Sequence, residues 1–152
     1  MKSSETDRIE KQILLRAPRS RVFRALTDAA EFGTWFRAKL EGQFEVGQWI
    51  HGRITYEGHE HLTMDVLVER IEPEHYFAFR WHPDAVEPGA DYRSEPTTLV
   101  EFHLEEVAEG TLLTITESGF EQVPASRREL AFRSNSEGWS IQAENIKQHV
   151  SG

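Results

Sequence analysis

One stretch narrows the choice of folds more than any other: the closing segment from Pro124 to Val150, PASRRELAFRSNSEGWSIQAENIKQHV. Its apolar residues Trp139, Ala143, Ile146 and Val150 recur at steps of four, three and four. At 3.6 residues per turn these fall in a narrow stripe on one face, with Glu144, Lys147 and Gln148 off it. The segment is predicted to be an amphipathic helix with a thin buried seam. Pro124 suits a first helical position because it has no N–H to leave unpaired. Ser134 to Glu137 (SNSE) also reads as a capping box, which predicts a break near Asn135 and two helices. Leu130 and Ile141 fall on the far side of the stripe and suggest a second packing surface. Gly138 is unfavourable inside a helix by roughly 1 kcal/mol relative to Ala, so room is expected to be needed there for something close by.

A helix with one seam needs one apolar surface to cover, and the preceding chain reads as strands. Arg8 to Arg16 is a first strand, with Ile9, Lys11, Ile13 and Leu15 on one side. Pro18 opens a short helix carrying Val22, Phe23, Ala25 and Leu26, and Asp28 to Phe36 is a second, ending in Trp35-Phe36. Short strands follow at Ala38 to Glu41 and Trp49 to Tyr56. Leu62 to Ile71 alternates Leu62, Met64, Val66 and Val68 against polar neighbours. Tyr76 to Trp81 puts Phe77, Phe79 and Trp81 on one face, and Thr98 to Leu104 puts Val100, Phe102 and Leu104 inward. Glu109-Gly110 turns into Thr111 to Ser118, where Leu113 and Ile115 alternate with threonines. Hairpin-like turns favour an antiparallel sheet with one apolar face. The expected class is α+β: a curved antiparallel sheet of about six to seven strands gripping a long C-terminal helix, with two short helices after the first strand.

Composition sets the remaining bounds. The 152 residues are expected to form a single domain, 1–152, with residues 1–7 frayed. A formal charge of −9 argues against a nucleic-acid binder, which needs a basic surface. The absence of cysteine excludes disulfides, thiolate catalysis and cysteine-held metal centres. No apolar run reaches a membrane span, and the polar start MKSSETDRIEK lacks a signal-peptide core, so a cytoplasmic location is the default expectation.

Four segments carry a resemblance: APRSRVFRALTD near the start, VERIEPEHYFAFRW, GTLLTITESGF, and EGW at Glu137 to Trp139. In this order they resemble the START-like helix-grip superfamily, in particular the branch named for the activator of heat-shock-protein-90 ATPase. WHPDAVEPGADYRSEPTTLVEF is similar to a single-domain bacterial subgroup of that branch. The resemblance spans about Arg8 to Val150; the enclosed space expected beneath the helix follows from one helix over a curved sheet. It leaves function open, because this fold hosts ligand carriers, cyclases and chaperone partners. No cofactor is expected: there is no glycine-rich dinucleotide fingerprint and no cysteine for an iron–sulfur centre.

Among candidate residues Glu117 stands first. It continues the inward register of Leu113 and Ile115, so its carboxylate should face the space under the helix and be partly desolvated. The link from His82 to Thr97 is longer than an ordinary hairpin loop and carries His82, Asp91, Tyr92, Arg93 and Glu95, as a lid or binding loop would. Asn135, Trp139 and Gln142 lie along or beside the helix stripe, where an amide can orient a ligand. Trp35 and Phe36 could wall the far end, and Trp81 points to the same face. His59 and His61 have no third ligand and make no metal site. The expected ligand-binding set is Trp35, Phe36, Trp81, His82, Tyr92, Glu117, Asn135, Trp139 and Gln142.

The leading expectation is a protein that binds a small, largely apolar or aromatic molecule between sheet and helix. The alternative is a protein-interaction module of the chaperone-partner kind, with a homodimer as a further option. An enzyme of the cyclase or hydrolase kind ranks last. Glu117 or His82 would be its general base, but no nucleophile constellation stands beside either.

Overall fold

The computed structural model describes residues 8–82 and 96–151. The terminal residues expected to fray, 1–7, and most of the candidate lid, with Asp91, Tyr92, Arg93 and Glu95, lie outside the described residues.

Strand β1 (Arg8–Leu15) is followed by helices α1 (Arg19–Thr27) and α2 (Ala29–Phe36). Then come β2 (Ala38–Glu41), β3 (Trp49–Ile54), β4 (Thr63–Glu72), β5 (Tyr76–Trp81), β6 (Thr98–Val107) and β7 (Gly110–Ser118). A short 3-10 turn, Phe120–Gln122, leads into α3 (Ala125–Ser151). The seven strands form one curved antiparallel sheet in the order β1-β7-β6-β5-β4-β3-β2. Successive strands from β2 to β7 are neighbours, and β1 adds at the β7 edge. The expected α+β architecture is the observed one, with strand ends displaced by at most three residues, the most at the end of β6.

The period-2 pattern explains which face is buried. Met64, Val66 and Val68 of β4, Phe77 and Phe79 of β5, Val100 and Phe102 of β6, and Leu113 and Ile115 of β7 are all buried. They line the concave face, and Trp139, Ala143, Ile146 and Val150 of α3 are buried as the helix covers it. Leu130 and Ile141 point the other way, at 60% and 59% exposure.

Between β1 and β2 the two short helices turn about one residue. The Asp28 N–H closes α1 onto the Arg24 carbonyl, while its side chain accepts from the N–H groups of Ala30 and Glu31 to cap α2. At Gly33 a Cβ would stand 2.2 Å from the Ala38 carbonyl oxygen, so only glycine lets β2 leave so close to α2. That turn delivers Trp35 and Phe36 to the interior.

One expectation about the last helix is corrected. It runs unbroken from Ala125 to Ser151, without a break at Asn135. The unbroken helix lets the Asn135 amide donate to Glu117 across the interior. Gly138 meets no close neighbour: a Cβ there would have no heavy atom within 4 Å. Among the described residues no helix is long and apolar enough to cross a membrane.

Candidate functional site

The site is built outward from Glu117, near the end of β7. Its Cα partners are Ile9 on one side and Val100 on the other, and alternation with Leu113 and Ile115 turns its side chain inward. It has 0% exposure. A carboxylate so placed needs hydrogen bonds to offset lost hydration. Trp81 Nε1 donates to Oε2 at 2.8 Å and Thr98 Oγ1 to the same oxygen at 2.5 Å. Trp139 Nε1 donates to Oε1 at 2.9 Å, and Asn135 Nδ2 reaches both oxygens at 3.0 Å.

Strand pairing and helical spacing explain why these donors converge. Trp81 and Thr98 face each other across β5 and β6, both in the inward phase. Asn135 and Trp139 are four residues apart on α3 and so stack on one side of the helix. The His82–Thr97 link therefore leaves and re-enters the sheet at two residues bonded to the same carboxylate oxygen.

Electrostatics at this point pull in two directions. Burial pushes the Glu117 carboxyl above its ordinary value, and the bonds from Thr98, Trp81, Trp139 and Asn135 pull it back without cancelling the rise. These partners are all neutral. The indole N–H groups can only donate, so the ionised form keeps every bond, whereas a protonated one must turn a partner such as the Thr98 hydroxyl into an acceptor.

Aromatic rings surround the carboxylate. Trp139 lies 5.7 Å from Trp81, 5.8 Å from Phe102 and 6.3 Å from Phe36, between ring centroids. Phe36 closes the group at 6.0 Å from Trp81. Gln142 Nε2 donates to the Phe36 carbonyl at 3.3 Å, tying α3 to the end of α2.

The fold thus gathers Phe36, Trp81, Glu117, Asn135, Trp139 and Gln142 in one place. Trp35 stands behind it, buried, with Nε1 donating to the Ala25 carbonyl at 2.8 Å and its ring 4.6 Å from Phe32. His82 follows inward-facing Trp81, so the pleat sends it to the convex face, where its ring stacks on Trp49 at 6.4 Å. Tyr92 lies outside the described residues. Thr98 was missed by sequence reasoning, although extending the alternation of Val100 and Phe102 backward by one step would have found it.

On the convex face Arg80, Leu99, Ser118 and Arg8 are successive cross-strand partners, and they line an open depression of about 400 Å³. Arg80 there pairs with Glu69 at 2.6 Å and Arg8 with Glu10 at 3.4 Å. Among the described residues no group of three or more His, Asp or Glu side chains could hold a metal ion.

Comparison with known proteins extends this geometry. Residues 16–151 match a protein family described as activator of Hsp90 ATPase homolog 1-like protein. No curated protein matches the chain. Among solved structures, protein MLL2253 from Mesorhizobium loti superposes with a TM-score of 0.74 at 21% identity, over 95% of this chain and 96% of that one. Protein SSP2350 from Staphylococcus saprophyticus gives 0.70 at 22% identity, over 95% and 91%. The Aha1 protein from Colwellia psychrerythraea, a dimer in solution, gives 0.70 at 19% identity, over 94% and 95%. At these identities the likeness is one of fold.

Proposed function

Because the chain belongs to the activator of Hsp90 ATPase homolog 1-like family, whose fold hosts ligand and partner binding alike, we propose that it binds a small apolar or aromatic molecule carrying a hydrogen-bond donor. The observation behind this reading is Glu117: a fully buried carboxylate whose donors among the described residues are all neutral, inside a ring of aromatic side chains. A structural carboxylate is commonly matched by a cation, whereas neutral donors can be exchanged for a donor on a ligand at small electrostatic cost. Asn135 is the partner most easily exchanged. It is half-buried, and its one amide nitrogen is shared between both oxygens. One turn onward, Gly138 leaves space where a side chain would otherwise stand. The apolar part of the ligand would rest on Phe36, Trp81 and Trp139.

N-phenyl-1-naphthylamine, an apolar fluorophore with one N–H donor, provides the test. Saturable binding is expected, weakened by roughly 1–3 kcal/mol in Glu117→Gln, the range for a hydrogen bond to a charged group. The comparison is made at a temperature where both proteins are folded. Equal affinity in the two proteins, or no binding to the wild type, sinks the proposal.

The family description favours a second reading, contact with an Hsp90-type ATPase. It is tested by whether the protein raises the rate of ATP hydrolysis by Hsp90. An unchanged rate removes it.

A further inference from the structure

The outward face of α3 carries a pattern that neither the buried seam nor the Glu117 site uses. Leu130 and Ile141 are large aliphatic residues at 60% and 59% exposure. They lie 11 residues apart, about three helical turns, and therefore share one stripe. Continuing that stripe at alternating steps of three and four gives Arg127, Leu130, Ser134, Glu137, Ile141 and Glu144. Such spacing is the seam of a coiled coil. Its ends differ in charge, since Arg127 and the adjoining Arg133 lie toward the N-terminal end, and Glu137 and Glu144 toward the C-terminal end. Arg133 reaches Glu129, within its own helix, at 3.8 Å.

We propose that this face is a docking surface for a second copy of the same chain, with the two α3 helices antiparallel about a two-fold axis passing between Asn135 and Ser136. Only a self-complementary surface can close on itself in this way, and that register makes every seam position complementary. Leu130 meets Ile141 of the other copy, Arg127 meets Glu144, and Ser134 meets Glu137, each twice by symmetry. Arg133 of one copy then flanks Glu137 of the other. Glu129 and Lys147, which would oppose this charge pattern, lie well off the seam on the flank of the helix. The opposite face is fixed to the sheet through Trp139, Ala143, Ile146 and Val150. The outer seam is thus presented without an ordering step, which lowers the entropic cost of association. With two aliphatic contacts per helix at its centre, the interface sits at the weak end of specific contacts.

Sedimentation velocity over micromolar to millimolar concentrations tests the proposal. The wild type is expected to move from one chain mass to two as concentration rises. Ile141→Glu, at an exposed position, should keep its circular dichroism and melting temperature yet remain monomeric throughout. Arg133→Glu should raise the dissociation constant roughly tenfold, because symmetry counts each charge contact twice. Adding Glu137→Arg to it should return the constant to within about threefold of the wild type, since the charges then match in exchanged positions. A wild type that stays monomeric over the whole range overturns the proposal. A dimer that survives Ile141→Glu, or a double exchange that fails to restore association, overturns it equally.

Discussion

Two carboxylates tie the long helix to the rest of the molecule, under opposite electrostatic conditions. Midway along α3, Glu117 holds Asn135 and Trp139 from the interior, fully buried, and its donors among the described residues are neutral. At the helix end, Glu31 of α2 accepts from Arg21 at 2.7 Å, Arg24 at 2.8 Å and His149 at 2.9 Å, at the edge of the fold. Burial raises the pKa of both. At Glu31 the bonds from His149, Arg21 and Arg24 outweigh that rise and hold the carboxyl down at about 2, whereas at Glu117 burial wins. Position and partner charge therefore set the task of each. A carboxylate among cations is held in its ionised form, while one buried among neutral donors is pushed toward protonation.

The largest expected effect removes the Glu31 tie and, of the Glu117 tie, the Trp139 bond. A chain ending before Glu137 loses Trp139, Ala143, Ile146, Val150 and His149, and with them the cover over the concave face. It should show no cooperative thermal transition by circular dichroism, and a sharp melt would refute the role given to the helix.

Breaking one tie sharpens the contrast. Glu31→Gln should lower stability near neutral pH by roughly 1.5–3 kcal/mol, as expected when hydrogen bonds to a charged group are lost. The sign with pH follows from linkage. Because the folded pKa of Glu31 lies below its ordinary value, its contribution is complete above about 4.5 and fades as pH falls through about 2. Urea midpoints of wild type and variant should converge over that interval. Glu117 acts in the opposite sense: with its folded pKa raised, the contribution from its protonation is present below its ordinary value and is lost as pH rises through the raised one. Relative to Glu117→Gln, the wild type should therefore lose ground as pH increases from about 4.5, and parallel curves would argue against the raised value.

The smallest effect concerns the helix between the two ties. Gly138→Ala should stabilise the protein by about 0.5–1 kcal/mol, because a methyl group there meets nothing within 4 Å and the unfolded chain loses freedom. A drop in melting temperature would show that the space beside Gly138 is already in use.

Much of this was legible along the chain. The alternation in β4 to β7 named the buried face and turned Glu117 inward, because in a strand each side chain's direction follows from its neighbours alone. The steps of four, three and four in α3 named its seam for the same reason. A local signal also misled. SNSE predicted a helix break at Asn135, but α3 runs through it, and only a continuous helix brings Asn135 and Trp139, four residues apart, onto the same buried carboxylate. Gly138 signals only that room is needed on the helix, and the packing shows where that open space lies.

The sequence by itself determined the element types, the inward face of each strand and the placement of Glu117 among them, since these depend on periods of two and 3.6 residues. The tertiary structure alone decided who partners whom. Trp81 and Trp139 meet over Glu117 from 36 and 22 residues away, and Glu31 meets His149 across 118. No local pattern encodes those separations. They are set by strand order and by the angle at which α3 crosses the sheet, and both arise only when the whole chain packs.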